Sequence, residues 1–105
     1  MPNQTQGTAF RVIDAMDGPH RGRILRLRLR GGTTPSLRSL KGASLLARSP
    51  SGEEERLKIV GFFLPGGKPS EARFGRTGRV DVIVEAENGS GKPRVSTLWE
   101  VTPAS

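Results

Sequence analysis

The stretch RILRLRLR, residues 23–30, constrains this chain more than any other part of it. Leu25, Leu27 and Leu29 alternate strictly with Arg26, Arg28 and Arg30. A period of two is that of a strand with one face buried and the other in water, because successive side chains of a strand point to opposite sides. On a helix the same residues would scatter around the whole circumference and bury nothing cleanly. The leucines therefore belong to a core and the arginines to an exposed stripe. Successive residues on that stripe lie about 6.6–7 Å apart, twice the rise per strand residue, close to the spacing of phosphates along a nucleic-acid strand.

Further short apolar runs follow the same logic. Strands are expected over residues 9–14, 23–30, 43–48, 56–64, 72–74, 79–86 and 94–101, separated by turn-forming clusters such as Asp17-Gly18-Pro19, Gly31-Gly32, Ser49-Pro50-Ser51-Gly52 and Asn88-Gly89-Ser90-Gly91. In the fourth run Leu57, Ile59, Gly61 and Phe63 share one face. In the sixth, Val80, Val82, Val84 and Ala86 point inward. In the last, Val95, Thr97, Trp99 and Val101 do so. Only residues 36–41 suggest a turn of helix. Short strands at intervals of roughly 8–12 residues predict an all-β fold, a small closed or partly open β-barrel of about six to seven mostly antiparallel strands. One domain fits the length of 105 residues: a polar tail at 1–8, a barrel over 9–102 and a short tail at 103–105.

Charge points to function. The chain carries 17 Lys and Arg against 10 Asp and Glu, a net charge of +7. Residues 1–50 hold nine basic side chains against two acids, Asp14 and Asp17, so the excess belongs to the first half of the sequence. Arginine dominates, and its planar fork matches phosphate bidentately. The candidate nucleic-acid-binding residues are Arg23, Arg26, Arg28 and Arg30, assisted by Arg11, Arg21, Arg38 and Lys41. An acidic protein would satisfy the same charges, so an RNA or ribosomal partner and an acidic protein partner both stand as readings.

Catalytic chemistry finds little to work with. There is no cysteine, which excludes disulfides and thiolate metal sites and suits a reducing compartment. His20 is the single histidine, in a turn where a solvated role is expected. A phosphate-binding loop needs Gly-x-x-x-x-Gly-Lys-Ser/Thr. At Gly67-Lys68 the next residue is Pro69 and the first glycine position is Phe62; at Gly91-Lys92 they are Pro93 and Ala86. Glu53, Glu54 and Glu55 read as a solvated turn, since three consecutive residues of an extended chain cannot converge on one ion. Phe10, Phe62, Phe63, Phe74 and Trp99 are expected in the core, which leaves no stacking platform for bases. The expectation is a non-catalytic binding domain without metal or cofactor. No apolar run is long enough for a membrane helix, and the first ten residues lack a secretory signal, so a cytoplasmic location is expected.

Residues 22–85 resemble the β-barrel second domain of translation GTPases of the elongation factor Tu type. The likeness lies in Gly22-Arg23-Ile24, the Leu40-Lys41-Gly42 turn, the strands at 43–47 and 57–62, and residues 72 through Gly78 into the Val80 to Val84 strand. The Leu/Arg alternation replaces the Val-Gly pair of that family's first strand. The resemblance implies a stand-alone barrel, without the GTP-binding domain, whose relatives contact ribosomal or transfer RNA. A second likeness is to the KOW motif of ribosomal and transcription-elongation proteins, in Arg11-Val12-Ile13 and Gly18-Pro19-His20-Arg21-Gly22-Arg23, with residues 15–17 interrupting the usual spacing.

Overall fold

In a computed structural model, residues 8–18, 21–32, 34–63, 70–89 and 91–104 are described. The turn holding His20 and the Pro65 to Pro69 break lie outside them. Six strands run as β1 (Ala9–Asp17), β2 (Arg23–Gly31), β3 (Ser44–Arg48), β4 (Glu54–Phe62), β5 (Arg79–Ala86) and β6 (Glu100–Pro103), with short helices α1 (Leu37–Leu40) and α2 (Glu71–Thr77) between them. They close into a barrel in the order β1-β2-β5-β4-β3-β6, and every neighbouring pair is antiparallel. Closure leaves no open sheet edge for another strand to pair with. No helix among the described residues is long and apolar enough to cross a membrane.

β2 lies between β1 and β5, and its alternation decides what fills the barrel. Leu25 and Leu27 are fully buried with Val12, Val82, Val84, Leu57 and Ile59. Two bulges adjust the phase of the neighbouring strands. One falls between Val12 and Asp14 in β1 and turns Asp14 outward beside Arg26. The other falls between Ile59 and Gly61 in β4, so Phe62 packs against the core where the sequence alternation had placed Gly61 and Phe63. Bulges also bend a strand and increase its twist, which helps a small sheet close.

The end of the barrel where β2 and β4 finish is plugged by the two helices. α1 contributes Leu37 and Leu40, and α2 contributes Phe74, whose ring stacks on Phe10 at 6.2 Å between centroids, within the favourable range for aromatic pairs. The sequence expectation of a strand at 72–74 is therefore corrected to a helix. The Ser70 hydroxyl accepts from the Arg73 amide as N-cap, and Gly78 ends the helix at φ 67° with its amide donating to the Phe74 carbonyl. A side chain at Gly78 would also stand 3.3 Å from Leu29 Cβ.

The last expected strand, 94–101, is also corrected. Only its end is strand, as β6. The Glu55 carboxylate accepts from the backbone amides of Arg94, at 2.9 and 3.1 Å, and Val95, at 3.0 Å. Those donors are thereby withdrawn from any ladder, and Pro93 has none to offer. The segment instead runs beside β1, with the Leu98 amide on the Val12 carbonyl at 2.8 Å and the Val12 amide on the Trp99 carbonyl at 2.9 Å, Val95 and Trp99 buried and Thr97 outside. Glu55 is thus a structural acceptor rather than part of a solvated turn. The barrel also reaches slightly past the sequence-derived bounds, since Thr8 is buried, Pro103 belongs to β6 and the Ala104 amide bonds the Ser44 carbonyl at 2.9 Å.

Replacing Glu55 by Ala leaves the Arg94 and Val95 amides without their acceptor. The expected loss is about 1–3 kcal/mol of stability, read by denaturant unfolding, with early loss of hydrogen-exchange protection at Val95. Glu55→Gln, which keeps an acceptor oxygen, recovers much of it.

Candidate nucleic-acid interface

The outer face of β1, β2 and β5 presents side chains in rows that cross the strands, because directly opposite residues share a face. The first row, near the end of the barrel away from the helices, is apolar: Met16, Ile24, Ile83 and Gly61. Ile24 is only 6% exposed there, although it faces outward. The second row alternates in sign, with Arg26 between Asp14 and Asp81. The third is Arg11, Arg28 and Arg79, three guanidinium side chains on three adjacent strands, with Glu100 of β6 opposite Arg11. Arg30 lies beyond it, beside the bulge between Ala9 and Phe10.

This arrangement revises the four leading arginines. Arg23 has the phase of the leucines, not of the stripe, and stands opposite Val84 and Asp17. Its side chain is 18% exposed and pairs with Asp17 at 3.3 Å, while its Nε is buried without a hydrogen-bond partner. Arg26 does face outward, but it donates to both carboxylate oxygens of Asp81, at 3.1 and 3.3 Å. The hydrogen bond and charge of Asp81, with a smaller contribution from Asp14, hold its pKa above the usual arginine value. Two of the four leading arginines are therefore occupied within the molecule.

Arg28 and Arg30 remain exposed. No ion pair joins either of them, or Arg11 or Arg79, to a carboxylate among the described residues. Arg11 is half-buried, with its Nε unpartnered. Arg79, which the sequence reading passed over, completes the row. Its outward phase, shared with Asp81, Ile83 and Glu85, was readable from the strand, but its position beside Arg28 depends on strand pairing. Like charges directly opposite one another destabilise a sheet. Elsewhere on the barrel wall Arg48 stands between Glu54 and Glu100 and Lys58 opposite Glu85, while Arg56 stands opposite Leu46.

The helix end of the barrel reinforces this charge. Its two connections carry exposed Arg38, Lys41, Arg73 and Arg76 against Glu71 alone among the described residues, and the Glu71 carboxylate is engaged by the Leu37 amide at 2.9 and 3.0 Å. Arg38 and Lys41 thus share the end of the barrel with Arg30, on a helix rather than on the sheet. Arg21 lies in the connection at the opposite end, beyond Arg23, and is separated from the row. At that opposite end Asp17 pairs with Arg23 and Lys92, Glu53 with Arg94, and Glu54 with Arg48. Positive charge consequently divides by barrel end and not by half of the sequence.

Among the described residues no group of three His, Cys, Asp or Glu could hold a metal ion. No family model matches the chain, and no curated protein and no solved structure matches it.

The Lys92 ammonium, 3.0 Å from the Asp17 carboxylate, lowers the Asp17 pKa through its hydrogen bond and charge, and Arg23 adds a smaller contribution. A depressed carboxyl pKa contributes stability that is fully present above the unfolded value, about 3.9, and is lost as pH falls through the folded value. Thermal unfolding of the protein and of Lys92→Gln should therefore differ near neutral pH, with the gap closing in acid below about pH 4. A gap independent of pH would show that Lys92 acts through something other than Asp17.

Proposed function

We propose that this protein is a non-catalytic binding module that grips the phosphate backbone of RNA with Arg11, Arg28, Arg79 and Arg30. The observation that carries the reading is the cross-strand arginine row. Among the described residues no ion pair joins its three guanidinium groups to a carboxylate, with Glu100 opposite Arg11 as the one acid in register, whereas Arg26 and Arg48 on the same wall are held by Asp81 and Glu54. An anionic ligand relieves the mutual repulsion of three adjacent guanidinium groups, and arginine suits phosphate because its fork donates two parallel hydrogen bonds.

The charged helices at the same end widen the attractive field toward a polyanion. Phosphate contacts carry the affinity in this reading, and base edges carry little of it. The choice of RNA rests on the resemblance of residues 22–85 to the second domain of translation GTPases, whose members contact ribosomal or transfer RNA. Of the segments behind that resemblance, Gly22-Arg23-Ile24 opens β2, Leu40-Lys41-Gly42 ends α1 and leads toward β3, and Gly78 leads into β5.

Each neutralised phosphate lowers log K by about 0.7–0.9 per unit of log salt. Replacing Arg11, Arg28 and Arg79 together by Gln should flatten the measured slope by about 2–3 with the fold intact by circular dichroism. Arg48→Gln, on the far wall among Glu54 and Glu100, should leave the slope unchanged. Absence of RNA binding at low salt, or a slope near zero, overturns the proposal and leaves an acidic protein as the partner for the same row.

A further inference from the structure

Resting on the RNA-binding reading, we infer that the ligand is duplex RNA, held without regard to sequence along a track that crosses the strands through Arg11, Arg28 and Arg79. The direction follows from the rows. Along β2 the outward positions are Ile24, Arg26, Arg28 and Arg30, and Arg26 is held by Asp81. Across the strands, three cations follow one another without interruption. The adjacent row presents Asp14 and Asp81 on either side of an Arg26 that Asp81 holds, a row of net negative charge that borders the track on one side. On the other side the cations continue with Arg30 and with Arg76 in the last turn of α2, which leads through Gly78 into Arg79.

The ligand class follows from what accompanies the row. Single strands are bound by combining a basic groove with aromatic faces on which bases stack. Here Phe10, Phe74 and Trp99 are buried and Phe62 packs against the core, while Phe63 is half-buried. No aromatic side chain among the described residues is fully exposed. A single strand would have to be ordered on this face with little stacking in return. A duplex brings its phosphates already ordered, so it loses less freedom on binding. The outer wall of a closed barrel is convex, and A-form RNA offers a wide, shallow minor groove that is recognised by shape and phosphate contacts. With strands about 4.8 Å apart, the row spans about 10 Å, a compact contact suited to phosphates and not to a run of bases.

The test uses fluorescence anisotropy with four probes: RNA duplexes of about 20 base pairs in two unrelated sequences, and one single strand from each. Both duplexes are expected to bind within about twofold of one another and more tightly than either single strand, since the contacts are to phosphate and not to bases. Single strands that bind as tightly as the duplexes, or duplexes that differ by more than about tenfold, overturn the inference and leave RNA binding standing. Binding of none of the four removes the underlying proposal instead. Asp81→Asn supplies an independent check, because it frees Arg26 and opens the acidic border. The salt slope should steepen by about 0.7–0.9, the increment for one further phosphate, and an unchanged slope refutes the bordered track.

Discussion

Because β2 is paired along both edges, to β1 and to β5, the faces of its side chains are fixed with little freedom. Leu25 and Leu27 must enter the barrel, where the core is completed by residues of the other five strands, both helices and the segment before β6. Arg26 and Arg28 must leave it. A slip of one residue in this strand would exchange the two sets, drawing guanidinium groups into an apolar interior at prohibitive desolvation cost. The register of the central strand is thereby enforced from both sides. The bulges in β1 and β4 bring their own inward residues into step with it, at Ala15 and Phe62, while turning Asp14 out.

The same enforcement separates two kinds of arginine that look alike in the chain. Arg23 belongs to the leucine set by phase and ends half-enclosed against Asp17. Arg28 belongs to the opposite set and meets Arg11 and Arg79. Between them Arg26 is held by Asp81 in a two-bond contact that leaves it a poor phosphate ligand. A run of basic residues is therefore not a binding surface by itself. What matters is which carboxylates the neighbouring strands place beside each one.

Much of the barrel was legible in the sequence because period-two patterning is a local property. The alternation of β2 and β5 and the burial of Phe10 follow from it. The helix at Glu71–Thr77 was misread because Ala72-Arg73-Phe74 is short enough to suit either state, and Ser70 and Gly78, which cap it, were not read as a helix start and stop. Phe62 was placed on the wrong face because a bulge carries no clear local signature in β4. The candidate site was legible only in part, since Arg28 announces itself on one strand but Arg79 becomes its neighbour through a pairing fifty residues away in the chain. Asp81, the acid partner of Arg26, was hidden for the same reason, whereas Asp17, the partner of Arg23, lies close by across the β1–β2 hairpin. Charge summed over halves of the sequence likewise missed the division between the two barrel ends.

That division makes the molecule an electric dipole as well as a cation. Near a polyanion the field exerts a torque, so the helix end turns toward the ligand before contact and fewer encounters are lost to wrong orientations. Near such a polyanion the neutralised end is turned outward, away from it.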